Sequence, residues 1–318
     1  MPPLKAHREA FGEALVDLGV EFPNMVVLSP DVSLSTQSIA FKRAYPDRFV
    51  STGIAEQNTL GVAAGLVDWG YIPVVALYAV FAAGKALDQI VNSIAYPRLN
   101  VKVVGTHGGI NVGPDGPTHQ AIADLSVMRA VPNMVVLTVA DASEVELALR
   151  AALRHQGPVY LRLERAPTPM LDLAQYPYRI GRATVVREGS DVAILAIGSM
   201  LWEGLHAAEE LAQQGISTRV INMRSLKPLD EDVILRAATE TCGIVTAEDH
   251  NRHGGLRSAV AEVLGAVGGV PLRYVAVEDS FAESGACNAL RNKYGINAGH
   301  IANAARELCR RACRGEGR

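Results

Sequence analysis

The sequence predicts an α/β chain of two doubly wound domains with mostly parallel sheets, and three observations carry that expectation. Short β-branched runs alternate with longer amphipathic segments along the 318 residues. The runs are apolar at nearly every position rather than every second one. Both faces of such strands must be covered, as in parallel sheets flanked by helices. The alternation also stops in a proline-rich stretch, 165–190, and then restarts.

In chain order, a helix around Arg8–Leu18 leads into the strand NMVVLSPD, 24–31. The segment GIAEQNTLGVAAGL, 53–66, turns small and apolar from Thr59, which suits a buried helix, yet the carboxylate of Glu56 stands at its mouth. IPVVALY (72–78), NVKVVGTH (100–107), NMVVLTVA (133–140) and PVYLRL (158–163) read as strands, with helices over Gly84–Ile94 and Ala142–Arg154 among them. Residues 168–190 read as a linker, which sets the domains at 1–167 and 191–318. In the second domain DVAILAIGS, STRVINMR, CGIVTAEDH and LRYVAVED are strands. WEGLHAAEELAQQG is a helix closed by glycine, and further helices fall near Asp230–Ala238 and Gly255–Gly265.

A composition of 49% hydrophobic and 20% charged residues suits a well-buried core. The net charge of −3 offers no basic footprint for nucleic acid. The basic tail CRRACRGEGR, 309–318, reads as a solvated, frayed end. No signal-peptide core and no apolar run of membrane-helix length is present, so neither secretion nor membrane insertion is expected. The four cysteines form no framework. Cys309 and Cys313 share a helical spacing, but two thiols are too few for zinc. The expectation is a reduced, cytoplasmic enzyme.

Parallel sheets bind ligands beyond the carboxyl ends of their strands. That rule selects the loops SPDVSLST, TGIAEQN, THGGINVGPDGPTHQ and LERAPTP, and in the second domain IGSM, MRSLKP and EDHNRHGG. Familiar motifs fail there. Gly84-Lys85 lacks both the earlier glycine and the following hydroxyl of a phosphate-binding P-loop, having Ala79 and Ala86 instead. Neither a dinucleotide fingerprint nor a serine nucleophile elbow occurs. Asp115 and His119, like His250 and His253, have metal-ligand spacing, but Gly116 and Pro117 break the helix the first pair would need. What survives is His107, Asp115, His119 and Arg165 at one sheet's mouth, a set suited to a polar, anionic substrate. Each has a plainer account. Glu56 could complement a helix dipole, His107 could cap a strand, Arg165 could pair with Glu164 or Asp31, and Phe81 could be a core aromatic.

Taken together, REAFGEAL, GIAEQNTLGVAAGL, VFAAGKALDQIVNSIAYPRLNVKVVGTHGG, GPDGPTHQAIADLSVMRAVPNM, GPVYLRLER and FAESGACNALRNKYGI give nearly the whole chain a specific likeness. It resembles the C-terminal half of transketolase, and more closely the small second subunit of split transketolases. The resemblance implies a pyrimidine-binding domain followed by a transketolase C-terminal domain, with thiamine diphosphate as cofactor. Glu56 matches the glutamate that hydrogen-bonds N1′ of the aminopyrimidine. That contact shifts the 4′-amino group towards an imino form basic enough to take the thiazolium C2 proton. Phe81 matches the aromatic stacked on the pyrimidine, and Tyr78 a neighbouring one. A further aromatic of single-chain transketolases is Gly84 here. Asp115 and His119 match contacts to donor-ketose hydroxyls, His119 also counting as catalytic. Arg8, Ser35, His107 and Arg165 match the set around the terminal phosphate, where guanidinium forks suit phosphate oxygens.

The G-D-G motif that holds the cofactor's magnesium and diphosphate in this family is missing. The resemblance therefore implies a separate diphosphate-binding partner subunit carrying Mg2+, in an α2β2 heterotetramer that acts on sugar phosphates. The expected reaction is transfer of a two-carbon ketol unit. The alternatives are an unusual or carrier-bound substrate, a deoxyxylulose-phosphate-synthase or 2-oxo acid dehydrogenase β-like role, and a non-catalytic scaffold.

Overall fold

A computed structural model describes residues 2–313; Met1, the end of the basic tail, 314–318, and the side chains of Ala312 and Cys313 lie outside the described residues. A short strand β1 (Leu4–Ala6) precedes β2 (Met25–Ser29), β3 (Phe49–Ser51), β4 (Ile72–Tyr78), β5 (Lys102–Thr106), β6 (Val135–Thr138), β7 (Val159–Arg162) and β8 (Pro167–Pro169). Then come β9 (Thr184–Arg187), β10 (Val192–Ala196), β11 (Thr218–Asn222), β12 (Ser225–Lys227), β13 (Ile244–Asn251) and β14 (Leu272–Val277).

The strands build two α/β sheets. The first runs β12-β6-β7-β5-β4-β2-β3, and all its neighbours are parallel except β12. The second runs β14-β13-β10-β11-β9, parallel except for β9. A small antiparallel pair, β1 and β8, ties the chain's start to the exit from the first sheet.

Alternate residues of each buried strand feed different layers, as the pleat requires. Val27 and Val74 face the helices His7–Glu21 and Val145–Arg154, packing with Phe11, Leu15 and Leu149. Leu28 and Val75 face the other way, towards Leu60, Ile90 and Leu125. This second layer does not stop at the domain edge: it runs on into Leu195 and Ile221 of the second sheet and Val260 of the helix Leu256–Val267. The far side of that sheet is closed by Leu201, Leu211, Ile301 and Leu308. The two units therefore share one apolar layer, in which each large buried side chain contributes about 1.5–3 kcal/mol.

Two expectations change. The helix foreseen over Gly84–Ile94 is an α-helix, Ala79–Gly84, followed by a wider π-helical stretch, Gln89–Ala95, with Tyr96 N–H donating to Val91 O at 2.9 Å. Ala82, Ala86, Ile90 and Ile94 are buried along the whole segment, so the change of turn leaves its apolar side covered. The segment 168–190 is also more than a connector, since β9 within it forms the edge of the second sheet. Past β11 the chain returns to the first sheet as β12 before completing the second.

Candidate active site

Parallel order sets the carboxyl ends of β3, β2, β4, β5 and β7 along one mouth, and most of the candidate residues sit on the segments just beyond those ends. Glu56 is the first residue of the helix Glu56–Val67, which starts three residues before the apolar run and buries the carboxylate to 8% exposure. Lys85 Nζ donates to Glu56 Oε1 at 3.1 Å and also lies 4.0 Å from the centroid of the Phe81 ring. From the end of β4, Tyr78 packs its ring against Phe81 (centroids 5.5 Å apart), His107 (4.1 Å) and His119 (5.8 Å). Phe81 and His119 meet edge to face at 5.5 Å. Gly84 is exposed, and a Cβ added there would meet nothing within 4 Å.

His107 follows β5 with a left-handed φ of 63°, which turns its buried ring into the mouth. The Thr106 hydroxyl donates to Leu77 O at 3.2 Å, so its oxygen accepts the His107 Nδ1 proton at 2.9 Å. That leaves the Nε2 lone pair facing the Ser35 hydroxyl at 3.4 Å. Burial, then the charges of Arg165, Arg8 and His119, push the imidazole down to about 3, so it is neutral at physiological pH. Arg8 donates to Ser35 O at 3.1 Å, and its buried Nε has no acceptor among the described residues. Arg165 donates to Val112 O at 3.2 Å and pairs with Asp115 at 3.5 Å, not with Glu164 or Asp31.

Glu56 (through Lys85), Phe81, Tyr78, His119, His107, Ser35 and Arg8 thus form one run of contacts, and the Arg165–Asp115 pair lies near enough for the Arg165 charge to act on His107. Behind it lies a buried layer that the sequence reading did not single out. Glu164 accepts from Ser199 N–H (2.8 Å) and Asn111 Nδ2 (3.2 Å), while its own N–H donates to His7 Nδ1 at 3.2 Å. Burial pushes the His7 pKa down, which agrees with an unprotonated Nδ1 accepting that bond. Asp249, in the EDH run within β13, accepts from the N–H groups of Ile110 (2.8 Å) and Asn111 (3.2 Å). Burial and the Glu164 charge push its carboxyl up to about 6. Lys85 was visible in the sequence only as half of a failed P-loop. His7 and Glu164 carried one usable signal, their adjacency to Arg8 and Arg165; Asp249 carried only its place in a polar strand-end loop.

The arrangement fits the pyrimidine end of thiamine diphosphate. A buried carboxylate stands at a helix start, with two partly exposed rings close to its lysine partner. Among the described residues no group of three or more His, Cys, Asp or Glu side chains is placed to hold a metal ion. No described helix is long and apolar enough to cross a membrane.

Comparison with known proteins gives the lineage. Residues 5–170 match the family model of the transketolase pyrimidine binding domain, and residues 181–301 that of the transketolase C-terminal domain. A 6-deoxy-6-sulfo-D-fructose transketolase subunit, SqwH, of Clostridium sp. is 41% identical, over 96% of this chain and 94% of that one. The 1-deoxy-D-xylulose-5-phosphate synthase of Desulforudis audaxviator is 38% identical over 96% of this chain, which spans only 49% of that protein. A solved split gene transketolase, described as an inactive beta4 tetramer, is 46% identical with a TM-score of 0.88, covering 96% of this chain and 98% of that one. The chain belongs to the transketolase family, whose pyrimidine-binding and C-terminal domains it carries in that order.

Proposed function

We propose that the chain is the second subunit of a two-chain, thiamine-diphosphate-dependent transketolase, which moves a two-carbon ketol unit from a ketose phosphate to an aldose phosphate. The observation that carries this is the convergence of Glu56, Tyr78, Phe81, His107, His119, Arg8 and Arg165 at one sheet's mouth. Glu56 would hold N1′ of the aminopyrimidine, and Phe81 with Tyr78 would hold its ring. Bound there, the cofactor supplies a carbon nucleophile and an electron sink. Asp115 and His119 orient the hydroxyls of the ketose. His107, which the likeness put in the phosphate set, is neutral with only an acceptor free at Nε2, and so would take a hydrogen bond from a substrate hydroxyl rather than hold a phosphate oxygen. Arg8 and Arg165 hold the terminal phosphate, and the unused Arg8 Nε is a donor suited to an oxyanion.

The diphosphate and Mg2+ belong, on this reading, to a separate G-D-G-bearing subunit in an α2β2 assembly. The relative described as an inactive beta4 tetramer supports that division of labour. The domains are centred on 1–167 and 191–318, with 168–190 passing between them and adding β9 to the second, and the setting is the reducing cytoplasm. A second reading, pyruvate decarboxylation, is favoured by the 38% identity to a deoxyxylulose-phosphate synthase. The sulfosugar relative makes a sulfonated ketose a third donor to try.

The test is reconstitution of the chain with its G-D-G partner, with thiamine diphosphate and magnesium. Xylulose 5-phosphate with ribose 5-phosphate, 6-deoxy-6-sulfo-D-fructose with an aldose phosphate, and pyruvate with glyceraldehyde 3-phosphate are then supplied in turn. Ketol transfer from the phosphorylated ketose, dependent on both chains, is expected. Turnover by this chain alone, or carbon dioxide release from pyruvate without ketol transfer, would overturn the reading.

A further inference from the structure

We infer that Asp249, in the second domain, is a positioning residue for the substrate loop that carries Asp115 and His119; this rests on the function proposed for that loop. Both carboxylate oxygens of Asp249 are committed to the loop's backbone, Oδ1 to Ile110 N–H at 2.8 Å and Oδ2 to Asn111 N–H at 3.2 Å. The side chain is 1% exposed, so water does not compete for these bonds. The approach is close enough to dictate the sequence. Gly109 has φ +77°, and a Cβ there would overlap the Asp249 carboxylate.

The second domain holds the same loop at further points, among them Gly285 N–H donating to Gly113 O at 3.4 Å. Cys287 Sγ reaches Asn111 O at 3.4 Å, and a Cβ at Gly113 would stand 2.9 Å from that sulfur. At the loop's exit Gln120 Nε2 donates to Glu283 O at 3.0 Å. Arg162 then ties the ends together, donating to Ala121 O at 3.0 Å and to Asp249 O at 2.8 Å. Between these anchors the chain makes a short 3-10 turn, Ile110–Asp115, broken at Gly113 and Pro114, and then a turn through Gly116 and Pro117 in which His119 N–H donates to Gly116 O at 3.0 Å. Asp249 therefore acts on Asp115 and His119 through the backbone, not by touching substrate. The second domain contributes a mould for the substrate loop.

The experiment uses Asp249→Asn, which keeps the shape but presents an NH2 group to one of the two amides. Hydrogen exchange on the full chain is the first readout. Ile110, Asn111 and the peptide over 109–120 should exchange about tenfold faster or more, the scale of losing a charge-assisted bond, while β4 and β10 keep their protection. In the reconstituted complex, KM for the ketose donor should rise roughly 10-fold or more on the same basis, with the thiamine diphosphate Kd within about twofold. Gly109→Ala, which crowds the clamp from the loop side, should repeat this pattern. Unchanged exchange over 109–120 would overturn the inference. So would exchange that rises equally in β4 and β10, or a donor KM that stays put. If the unmodified complex turns over no ketose, the proposed function fails, and the exchange result still decides the clamp.

Discussion

Replacing Arg162 by methionine tests whether the seam between the two domains is held by a buried charge network. Arg162 is 3% exposed and reaches Asp124 Oδ2 at 3.0 Å, as well as the carbonyls of Ala121 and Asp249. Asp124 is 1% exposed, and the Tyr160 hydroxyl donates to it at 2.7 Å. Methionine approximates the arginine stem and removes the charge, leaving the Asp124 carboxylate in the interior with one neutral donor. Stranding one member of a buried ion pair costs about 3–5 kcal/mol. The two carbonyls that lose a donor add about 1 kcal/mol each. The total, about 5–7 kcal/mol, is comparable to the whole stability of an ordinary domain, about 5–15 kcal/mol. Urea unfolding followed by circular dichroism should show a large fall in midpoint. Adding Asp124→Asn, which removes the stranded charge and keeps an acceptor for Tyr160, should recover at least about 2 kcal/mol. A loss below about 1 kcal/mol would refute the network as a stabilising seam. An unimproved double variant would refute the attribution to charge.

Glu56→Gln in the reconstituted complex should lower kcat by roughly 10²–10⁴-fold, the range of a lost acid–base group. Its melting temperature should barely move, because the partner Lys85 has a half-exposed side chain and such pairs contribute about 0–1 kcal/mol. Arg165→Lys should raise KM for phosphorylated substrates about tenfold with little change in kcat, since a point charge replaces a fork; equal affinity would remove Arg165 from the phosphate set. The His107 imidazole, followed by NMR, should stay neutral down to about pH 4 because its folded pKa is about 3. An unfolded imidazole takes up its proton near 6.5. This residue's contribution is therefore fully present above that pH and is lost as pH falls towards 3; titration near 6.5 in the folded chain would contradict it.

Much of the first sheet was legible because β2, β4, β5, β6 and β7 are buried on both faces and advertise it in unbroken β-branched runs. β3 and β12 were not, being three residues each and lacking a period of their own; neighbouring strands make them strands. The helix at Glu56 was readable from small residues behind a carboxylate, but the widened helix after Phe81 was not, since composition does not separate turns of different width. At the site, Arg8, His107 and Arg165 could be found by likeness to a family, and their loops by strand ends. Their supporting layer could not. His7, Glu164 and Asp249 lie far apart in sequence from most of their partners, Glu164 and Ser199 being 35 residues apart and Asp249 and Ile110 139 apart. A local pattern carries no trace of such pairings.

The return of β12 to the first sheet limits where this polypeptide can be divided. A cut anywhere in 168–190 falls in the most loop-like part of the chain, yet the first fragment would lose the strand that caps β6. That open edge is a template for pairing with other chains. The second fragment would carry β12 without a sheet to join and would expose the apolar face formed by Leu195, Ile221 and Val260. Two such pieces would have to recover both the sheet and the shared layer by finding each other. A gene break at this seam would therefore make obligate, aggregation-prone halves.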